Sequence, residues 1–317
     1  MAVISYIDAI QQAMREEMRR DETVFVLGED VGVKGGVFGA TRGFYEEFGE
    51  YRALDTPLAE SAIAGVAIGA AMYGMRPIAE MQYADFMLPA TNQIINEAAK
   101  IRYRSNNDWS CPLVIRAPIG GGIFGGLYHS QCTESVFFGT PGLKIVVPST
   151  PYDAKGLLKA AVRDPDPVLY FEHKKCYRMI AGEVPEGPYT VPIGKAEVKR
   201  DGTDLTVITY GLTVHFALQA AEDLAKEGID ALVLDLRTLQ PLDRERVLPV
   251  AQREALEGEV EAALVVVERE QGHDEDRHEQ VDERGHRPHA EGRVADPVPR
   301  RPHATASRSC RVPSARA

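Results

Sequence analysis

The sequence predicts an α/β protein built on a parallel sheet that helices cover on both faces. Short apolar runs alternate with segments of helical periodicity over roughly the first half of the chain. Strands that are buried on both faces read as unbroken apolar runs, which is the pattern of a parallel sheet. The runs that we assign to strands are residues 23–27, 52–55, 77–81, 112–116, 143–147 and 168–171.

Helical segments lie between most of these runs. In the first of them, residues 4–19, Ile7, Ile10 and Met14 share a face, with Arg and Glu on the other. The other helices that we predict are residues 59–72, 88–103, 130–138 and 152–162. In folds of this kind chemistry gathers at the carboxyl ends of the strands, so the residues that follow each strand are candidates for a site.

A second α/β unit begins near residue 190, after a stretch punctuated by proline and glycine at 173–194. Its predicted elements are a pair of strands around 195–199 and 205–210, a helix at 214–227 and a strand at 231–236. The unit is incomplete. From Arg269 onward no Leu, Ile, Met, Phe, Tyr or Trp occurs, and no periodicity of strand or helix survives.

Three interpretations of residues 269–317 are open. The abrupt change to Arg, Pro, Ala, Gly and His favours a shifted reading frame that begins between about 250 and 268, with 262–267 as the last genuine strand. A natural disordered tail is the second, because such a composition cannot bury enough apolar surface to offset its conformational entropy. A His-rich metal tract is the weakest, since the histidines show no repeated ligand spacing.

Charge and composition exclude several classes of function. The net charge of -11 argues against binding to nucleic acid and to an anionic membrane, because both need clustered Lys and Arg. The first residues show neither secretory nor transit character, and the apolar stretch 62–75 is too short to span a bilayer. The cysteines form no metal or redox spacing. We therefore expect a cytoplasmic protein with reduced thiols.

Glu60 is the first candidate for chemistry. It stands in the segment Leu54-Asp-Thr-Pro-Leu-Ala-Glu60, after a predicted strand, and it opens a helix of small and apolar residues. A glutamate in a first helical turn commonly does no more than interact with the helix dipole. Here the helix is apolar enough to be buried. A carboxylate held at the carboxyl edge of a sheet in such surroundings is typical of functional sites.

A second segment, Met81-Gln-Tyr-Ala-Asp-Phe-Met-Leu-Pro89, follows the next strand. It brings Gln82, Asp85 and Phe86 to the same edge of the predicted sheet. On its own, Phe86 would be assigned to the core. Beside a buried carboxylate and an amide, an aromatic ring can instead hold a flat polar heterocycle.

The strand 112–116 leads through a glycine-rich loop to His129. The loop, Gly120-Gly-Gly-Ile-Phe-Gly-Gly126, lacks the lysine of a P-loop and the spacing of a dinucleotide fingerprint. A lone histidine is usually structural. A histidine carried by a flexible loop at this edge can instead exchange a proton with a substrate near neutral pH, and we predict that role for His129.

Together these segments resemble the β subunits of the decarboxylase component of 2-oxo acid dehydrogenases, the pyruvate and branched-chain enzymes. The resemblance runs from about residue 4 to about residue 250. Its marks, in chain order, are Leu27-Gly-Glu-Asp-Val31, Asp55-Thr-Pro-Leu-Ala-Glu60, Tyr83-Ala-Asp-Phe86, Tyr128-His-Ser-Gln131, Tyr152-Asp-Ala-Lys-Gly156 and Asp235-Leu-Arg-Thr-Leu239. Motifs in this number and order are highly specific.

The resemblance implies the domain organisation. A transketolase-like pyrimidine-binding domain with a parallel sheet is expected at residues 4–180, followed by a transketolase C-terminal α/β domain, here incomplete, at 190–268. Residues 269–317 match neither domain. The implied reaction is oxidative decarboxylation of a 2-oxo acid with transfer of the acyl group to a lipoyl group.

The implied cofactor is thiamine diphosphate. Glu60 matches the catalytic glutamate that hydrogen-bonds N1′ of the aminopyrimidine ring, and Phe86 matches the aromatic residue stacked on that ring. Leu58 and Gln82 match its neighbours. His129 matches the catalytic histidine that faces the thiazolium and handles the substrate and the incoming lipoyl group. The cofactor carries its own base, which the protein tunes.

The resemblance also implies a structural K⁺ site. Asp164 and Asp166, with carbonyl groups near Leu113 and Ala161, match it. The segment Asp164-Pro-Asp166 fits a plain turn as well, and backbone ligands leave little trace in a sequence.

The chain lacks the Gly-Asp-Gly and following Asn with which relatives hold Mg²⁺ and the diphosphate. The resemblance assigns that half of the site to an α subunit, in an α2β2 heterotetramer that docks on a lipoyl acyltransferase core. The β chain alone is then expected to be inactive. Branched-chain 2-oxo acids and pyruvate both stay open as substrates.

Two other functions compete with this interpretation. A self-contained transketolase or deoxyxylulose phosphate synthase is disfavoured, because the diphosphate motif is missing and the chain is short. A damaged or non-catalytic subunit that only binds partners is suggested by the composition of residues 269–317.

Overall fold

A computed structural model describes residues 1–256. The segments 262–267 and 269–317, with the hypothesis of a shifted reading frame, lie outside the described residues. The described strands are β1 (Ala2–Ser5), β2 (Val24–Gly28), β3 (Ala53–Asp55), β4 (Arg76–Glu80), β5 (Val114–Ile119), β6 (Lys144–Val146), β7 (Val168–His173), β8 (Ala181–Val184), β9 (Glu197–Arg200), β10 (Leu205–Thr209), β11 (Ala231–Asp235) and β12 (Thr238–Gln240).

The helices of the described part are α1 (Tyr6–Arg20), α2 (Phe44–Phe48), α3 (Glu60–Met72), α4 (Ile101–Arg104), α5 (Glu134–Phe137), α6 (Pro151–Arg163), α7 (Cys176–Met179), α8 (Thr213–Lys226) and α9 (Arg244–Leu256). Shorter 3-10 and π-helical turns occupy Ala84–Ala90, Gln93–Glu97, Ala98–Lys100 and Leu127–His129. Among the helices of residues 1–256, none has the length and apolar character that crossing a membrane requires.

The central sheet has seven strands in the order β12-β6-β7-β5-β4-β2-β3. Every neighbouring pair is parallel except β12 and β6, which are antiparallel. The predicted parallel sheet is therefore confirmed. Successive side chains of a strand point to opposite faces, so in β2 Val24 and Val26 join one apolar core, whereas Phe25 and Leu27 join the other.

Helices cover both faces of this sheet. α1 and α6 cover one face through residues such as Ile10, Met14 and Leu157. α3 and the turns after β4 cover the other through Ile63 and Ile94. Because helices and turns cover both faces, most side chains of the strands are apolar.

Three local predictions are wrong. The expected connection 173–194 contains α7 and β8, and β8 pairs antiparallel with β1. The helix expected at 4–19 is present as α1, but its first two residues belong to β1. The expected helix 88–103 is not one regular helix: 3-10 and π-helical turns occupy most of it, and α4 begins only at Ile101. Pro89, which has no N–H to donate, lies in the first of these turns. The expected helix 130–138 is reduced to the four residues of α5.

The second unit has a smaller sheet in the order β10-β11-β9. The strands expected around 195–199 and 205–210 do not pair with each other, because β11 lies between them, parallel to β10 and antiparallel to β9. α8 packs on one face and α9 on the other. The chain then contributes β12 to the edge of the central sheet, so the two units share a strand. The domain limits stay a prediction.

Buried charges join the two units. Lys199 Nζ on β9 lies 2.9 Å from the Asp153 carboxylate on α6 and 4.0 Å from that of Asp235 on β11. Arg237 Nη2 lies 2.6 Å from Asp153. Ser149 donates a hydrogen bond of 2.5 Å to Asp235. Burial raises the pKa of Asp235 to about 6, although the Ser149 hydrogen bond and the Lys199 charge act in the opposite direction.

This raised pKa predicts a pH-dependent contribution to stability. The pKa of Asp235 in the folded chain, about 6, exceeds its ordinary value of 3.8. The folded state therefore keeps this proton up to a higher pH than the unfolded state does. The stability from this group is complete below pH of about 4 and is lost as the pH rises through 6, by up to about 3 kcal/mol. Urea unfolding between pH 4 and pH 7.5 should show a smaller loss for Asp235→Asn than for the wild type.

The matched control is Asp223→Asn, on the exposed side of α8. Its stability should follow the pH as the wild type does. If the free energy of unfolding fell equally with pH in the wild type and in Asp235→Asn, the prediction would be contradicted.

Candidate active site

Three parallel strands carry the predicted catalytic residues to one edge of the central sheet. β3 leads into α3, β4 into the turn Ala84–Ala90, and β5 into the glycine loop. Glu60 is the first residue of α3 and is only 9% exposed. No other charged residue occurs in α3, and the N-terminus of the helix favours the Glu60 carboxylate.

Glu29 is a second carboxylate beside Glu60. It follows β2, the neighbour of β3 in the sheet. Burial raises the pKa of Glu29, and the negative charges of Glu60 and Asp30 raise it further. Glu29 Oε1 is buried and has no hydrogen-bond partner within residues 1–256. Glu29 keeps its proton more readily, so the pair of carboxyl groups can offer a ligand one hydrogen-bond donor as well as acceptors.

Hydrogen bonds and ring contacts join the three strand ends. Ser61 Oγ donates to the carbonyl of Pro89 at 2.6 Å, which ties the start of α3 to the turn that carries Phe86. The His129 ring packs edge-on against the rings of Tyr83 and Phe86, with centroid distances of 4.6 and 5.3 Å. The structure thus brings Phe86 and His129 into direct contact and ties the start of α3, which carries Glu60, to the turn that carries Phe86.

The two predicted neighbours of the cofactor ring lie at the same edge. Gln82 follows β4, and its Nε2 donates to Asp30 Oδ2 at 3.4 Å. Leu58 lies in the connection from β3 to α3 and is 79% exposed. A large apolar side chain that projects into solvent beside a buried carboxylate offers contact area to something outside this chain.

The glycine loop holds His129 by close backbone approach. A Cβ on Gly120 would lie 2.0 Å from the ring of His173, and a Cβ on Gly125 would lie 2.6 Å from Cβ of His129. The N–H of Gly120 donates to the carbonyl of Gln131, which closes the base of the loop. Glycine is therefore required at both positions for the loop to fold back on itself.

A buried ion triplet lies beneath the site. Arg116 on β5 binds Glu172 on β7 through two hydrogen bonds, of 2.6 and 2.8 Å, and Glu80 on β4 through one of 2.7 Å. Tyr177 donates a further hydrogen bond to Glu172. Burial opposes the charge of Arg116, but the two carboxylates more than compensate and raise its pKa. Burial raises the pKa of Glu80, which the charge of Arg116 counteracts.

Removal of the central cation should destabilise the fold strongly. Arg116→Met leaves two carboxylates buried without a countercharge, which typically costs about 3–5 kcal/mol. Chemical unfolding of the full chain measures this loss. Arg19→Met, which breaks the exposed pair with Glu47, is the control and should cost less than about 1 kcal/mol. A loss as small as the control's would show that the triplet does not stabilise the fold.

The residues at this edge fit a planar, polar ring. Buried polar atoms without a hydrogen-bond partner in the described part of the chain gather here: Glu29 Oε1, Thr56 Oγ1, Asp85 Oδ2 and His129 Nδ1. Aromatic rings stand beside them. Such atoms cost free energy unless a ligand hydrogen-bonds them, and an aminopyrimidine ring carries both donors and acceptors.

Two domain families match the chain: "Transketolase, pyrimidine binding domain" over residues 2–179, and "Transketolase, C-terminal domain" over residues 194–266. The 2-oxoisovalerate dehydrogenase subunit beta of Bacillus subtilis (strain 168) is 73% identical over 253 residues, which cover 80% of this chain and 77% of that protein. This chain belongs to the β subunits of 2-oxo acid dehydrogenases. The family depends on thiamine diphosphate and works with an α subunit.

A further relative agrees with this family, and a solved structure agrees with the transketolase domains. The pyruvate dehydrogenase E1 component subunit beta of the same organism is 50% identical over 253 residues, 80% of this β subunit and 78% of that protein. A solved structure described as a split gene transketolase, inactive beta4 tetramer, has a TM-score of 0.63 and 26% identity, and the match covers 78% of this chain and 76% of that one.

In this β subunit the predicted K⁺ ligands lie apart from the site. Leu113 immediately precedes β5, while Asp164 and Asp166 precede β7, at the opposite edge of the sheet. Lys144 Nζ lies 2.6 Å from the Asp164 carboxylate, and Arg102 Nε lies 2.5 Å from that of Asp166. The carbonyls of Leu113 and Ala161 accept hydrogen bonds from Val168 and Asp164.

Tyr83, Thr56 and Lys174 are site residues of this β subunit that the sequence did not single out. Tyr83 belongs to a quoted motif, but only the structure shows that His129 packs on its ring. Lys174 directly follows β7, so the rule that chemistry follows strand ends could have found it. It was assigned instead to a connection between the two units.

Proposed function

We propose that this β subunit supplies the pyrimidine-binding half of a branched-chain 2-oxo acid dehydrogenase, and that its α subunit holds the diphosphate and Mg²⁺. The observation that carries this proposal is the 73% identity to a 2-oxoisovalerate dehydrogenase β subunit, against 50% to a pyruvate dehydrogenase β subunit from the same organism. The absence of a diphosphate motif from the sequence supports the division between the two chains.

Glu60 and Phe86 orient the cofactor ring in this proposal. The Glu60 carboxylate hydrogen-bonds a ring nitrogen, and its burial beside Glu29 keeps water from competing for that bond. Phe86 stacks on the ring face, while Gln82 and Leu58 flank it. When bound, thiamine diphosphate supplies the carbon nucleophile that attacks the 2-oxo group.

His129 handles protons of the substrate and of the incoming lipoyl group. Its ring is held by Tyr83 and Phe86, and its buried Nδ1 has no partner within the described residues. An imidazole can donate or accept a proton near neutral pH, so this atom is available for transfer at the reacting centre.

The exposed face of α3 is the surface that favours binding of a partner subunit. It consists of Ala62, Gly65, Val66 and Gly69, with Tyr73 directly after the helix, and none of these carries a charge. Nothing lies within 4 Å of a Cβ placed on Gly65 or Gly69, so another chain has room to approach the helix backbone. We propose that the α subunit covers this face in an α2β2 heterotetramer, which docks on the lipoyl acyltransferase core. The cytoplasmic location stays a prediction.

A structural K⁺ remains part of the proposal at the opposite edge of the sheet. Because Lys144 and Arg102 neutralise the carboxylates of Asp164 and Asp166, the ion would be held by carbonyl oxygens. Those of Leu113, Ala161, Asp164 and Asp166 are the candidates, and carbonyl oxygens are suitable ligands for hard cations.

Loss of the Glu60 carboxylate should abolish turnover without loss of assembly. Glu60→Gln cannot supply the charged acceptor, and we expect kcat to fall by about 100-fold or more. The measurement is decarboxylation by the variant co-expressed with its α subunit, with gel filtration to verify assembly. Glu46→Gln, on the exposed side of α2, is the matched control and should retain full activity. Full activity of Glu60→Gln would refute the proposed role.

Activity should need both chains and should favour branched substrates. The β subunit alone is expected to give no turnover, since it lacks a site for the diphosphate. With the α subunit, kcat/KM for 3-methyl-2-oxobutanoate should exceed that for pyruvate by about tenfold or more, as expected for a pocket that fits two additional methyl groups. Turnover by the β chain alone, or a preference for pyruvate, would overturn the respective part of the proposal.

The same assay tests the alternative of a non-catalytic subunit. Assembly with the α subunit but no turnover of any 2-oxo acid would favour that alternative. Failure to assemble would favour a damaged chain.

A further inference from the structure

Phe38 links two aromatic rings that belong to different parts of the fold. It lies in the connection between β2 and α2, and its ring packs edge-on against that of Tyr83, with 5.7 Å between the centroids and 79° between the planes. The same ring contacts that of Tyr177, in α7, at 5.1 Å. Tyr83, Phe38 and Tyr177 therefore form a continuous ring column.

The ring column runs from the buried ion triplet to the site. At one end, the hydroxyl of Tyr177 donates a hydrogen bond of 2.7 Å to Glu172, a member of the triplet. At the other end, the ring of Tyr83 packs edge-on against His129 at 4.6 Å and against Phe86 at 5.3 Å. Tyr177 is 3% exposed and Tyr83 is 9% exposed, so neighbouring atoms restrict both rings.

The backbone that carries Phe38 is fixed on both sides of this residue. Before it, the N–H of Gly36 donates a hydrogen bond of 2.7 Å to the carbonyl of Asp30. After it, the fully buried hydroxyl of Thr41 donates to the carbonyl of Val31, also at 2.7 Å. Because these bonds close the connection into a compact loop, the Phe38 ring projects from a rigid base.

We infer that Phe38 is a positioning residue, which acts through the ring of Tyr83 to fix the orientation of the His129 imidazole. Edge-on aromatic contacts have a preferred geometry, so a ring that is fixed from one side orients the ring packed on its other neighbour. A misplacement of about 1 Å in a catalytic group can cost a large factor in rate. If Phe38 merely filled space, its loss would lower stability and leave the geometry of His129 unchanged.

The first test compares turnover by β chains that are co-expressed with the α subunit and purified as assembled complexes. Phe38→Met fills a similar volume without a ring. Its kcat for 3-methyl-2-oxobutanoate should fall by about fivefold, because the productive orientation of His129 is less populated. KM should change by less than about twofold, since Phe38 acts on a proton carrier and not on ground-state binding. A rise in KM with unchanged kcat would contradict the inference.

A double variant decides whether Phe38 acts through Tyr83. Tyr83→Met removes the ring that contacts His129, and its kcat should fall by about tenfold or more, whereas Tyr83→Phe should recover most of this loss. If Phe38 acts through that ring, Phe38→Met adds no further loss to Tyr83→Met. Independent effects would instead multiply, to about 50-fold, and would refute the inference.

Phe48→Met is the matched control. Phe48 is partly buried, as Phe38 is, and it packs edge-on against Phe44 at 5.7 Å and 85°, within α2. Its loss should lower stability and leave kcat unchanged. Equal falls of kcat in Phe48→Met and Phe38→Met would rule out a specific role for Phe38. Phe38→Leu replaces Phe38→Met in every comparison if the latter fails to assemble.

Crystal structures of the wild-type and Phe38→Met complexes test the geometry without reference to turnover. The inference rests on the proposed function only where it expects kcat to fall. In the variant, the His129 ring should rotate or adopt two orientations relative to Phe86. Unchanged rings of Tyr83 and His129 would overturn the inference. A rotated His129 ring with unchanged kcat would uphold the role of Phe38 and contradict proton transfer by His129.

Discussion

The ion triplet of Arg116 with Glu80 and Glu172 is the interaction on which the site depends. Its three members come from the adjacent strands β4, β5 and β7, so the triplet fixes these strands relative to one another. The guanidinium binds Glu172 in a bidentate manner, which restricts orientation as well as distance. The segments that follow these strands carry Phe86, His129 and Lys174, and they all start from positions that the triplet holds.

At this edge of the sheet, two features have no partner within the described residues: a set of buried polar atoms and the exposed face of α3. Buried oxygens such as Glu29 Oε1 and Thr56 Oγ1 have no partner within residues 1–256, and the exposed face of α3 carries no charge. The first is unfavourable unless a polar ligand is bound, and the second unless another protein covers it. The proposed division of the site between two chains would account for both, since the ligand and the partner subunit would bind at the same surface.

The parallel sheet could be predicted because strands buried on both faces leave an unbroken apolar signature. The positions of Glu60 and His129 followed from the rule that chemistry gathers after such strands. β1 and β8 could not be found in this way, since both are short, partly exposed and paired across most of the chain. The pKa values of Lys174 and Glu29 are shifted first by burial, and no local sequence pattern encodes which residues bury them.

β12 comes late in the chain but pairs with β6 in the central sheet, so the order of synthesis leaves β6 unpaired for a time. During synthesis the pyrimidine-binding part emerges first, yet the edge of β6 stays bare until Thr238–Gln240 has left the ribosome. An unpaired strand edge is a template for pairing with other chains. The nascent protein therefore exposes this unpaired edge from the synthesis of β6, which ends at Val146, until β12, which begins at Thr238, has emerged. A fragment that stops at the end of the first domain would keep that edge permanently and be prone to aggregate.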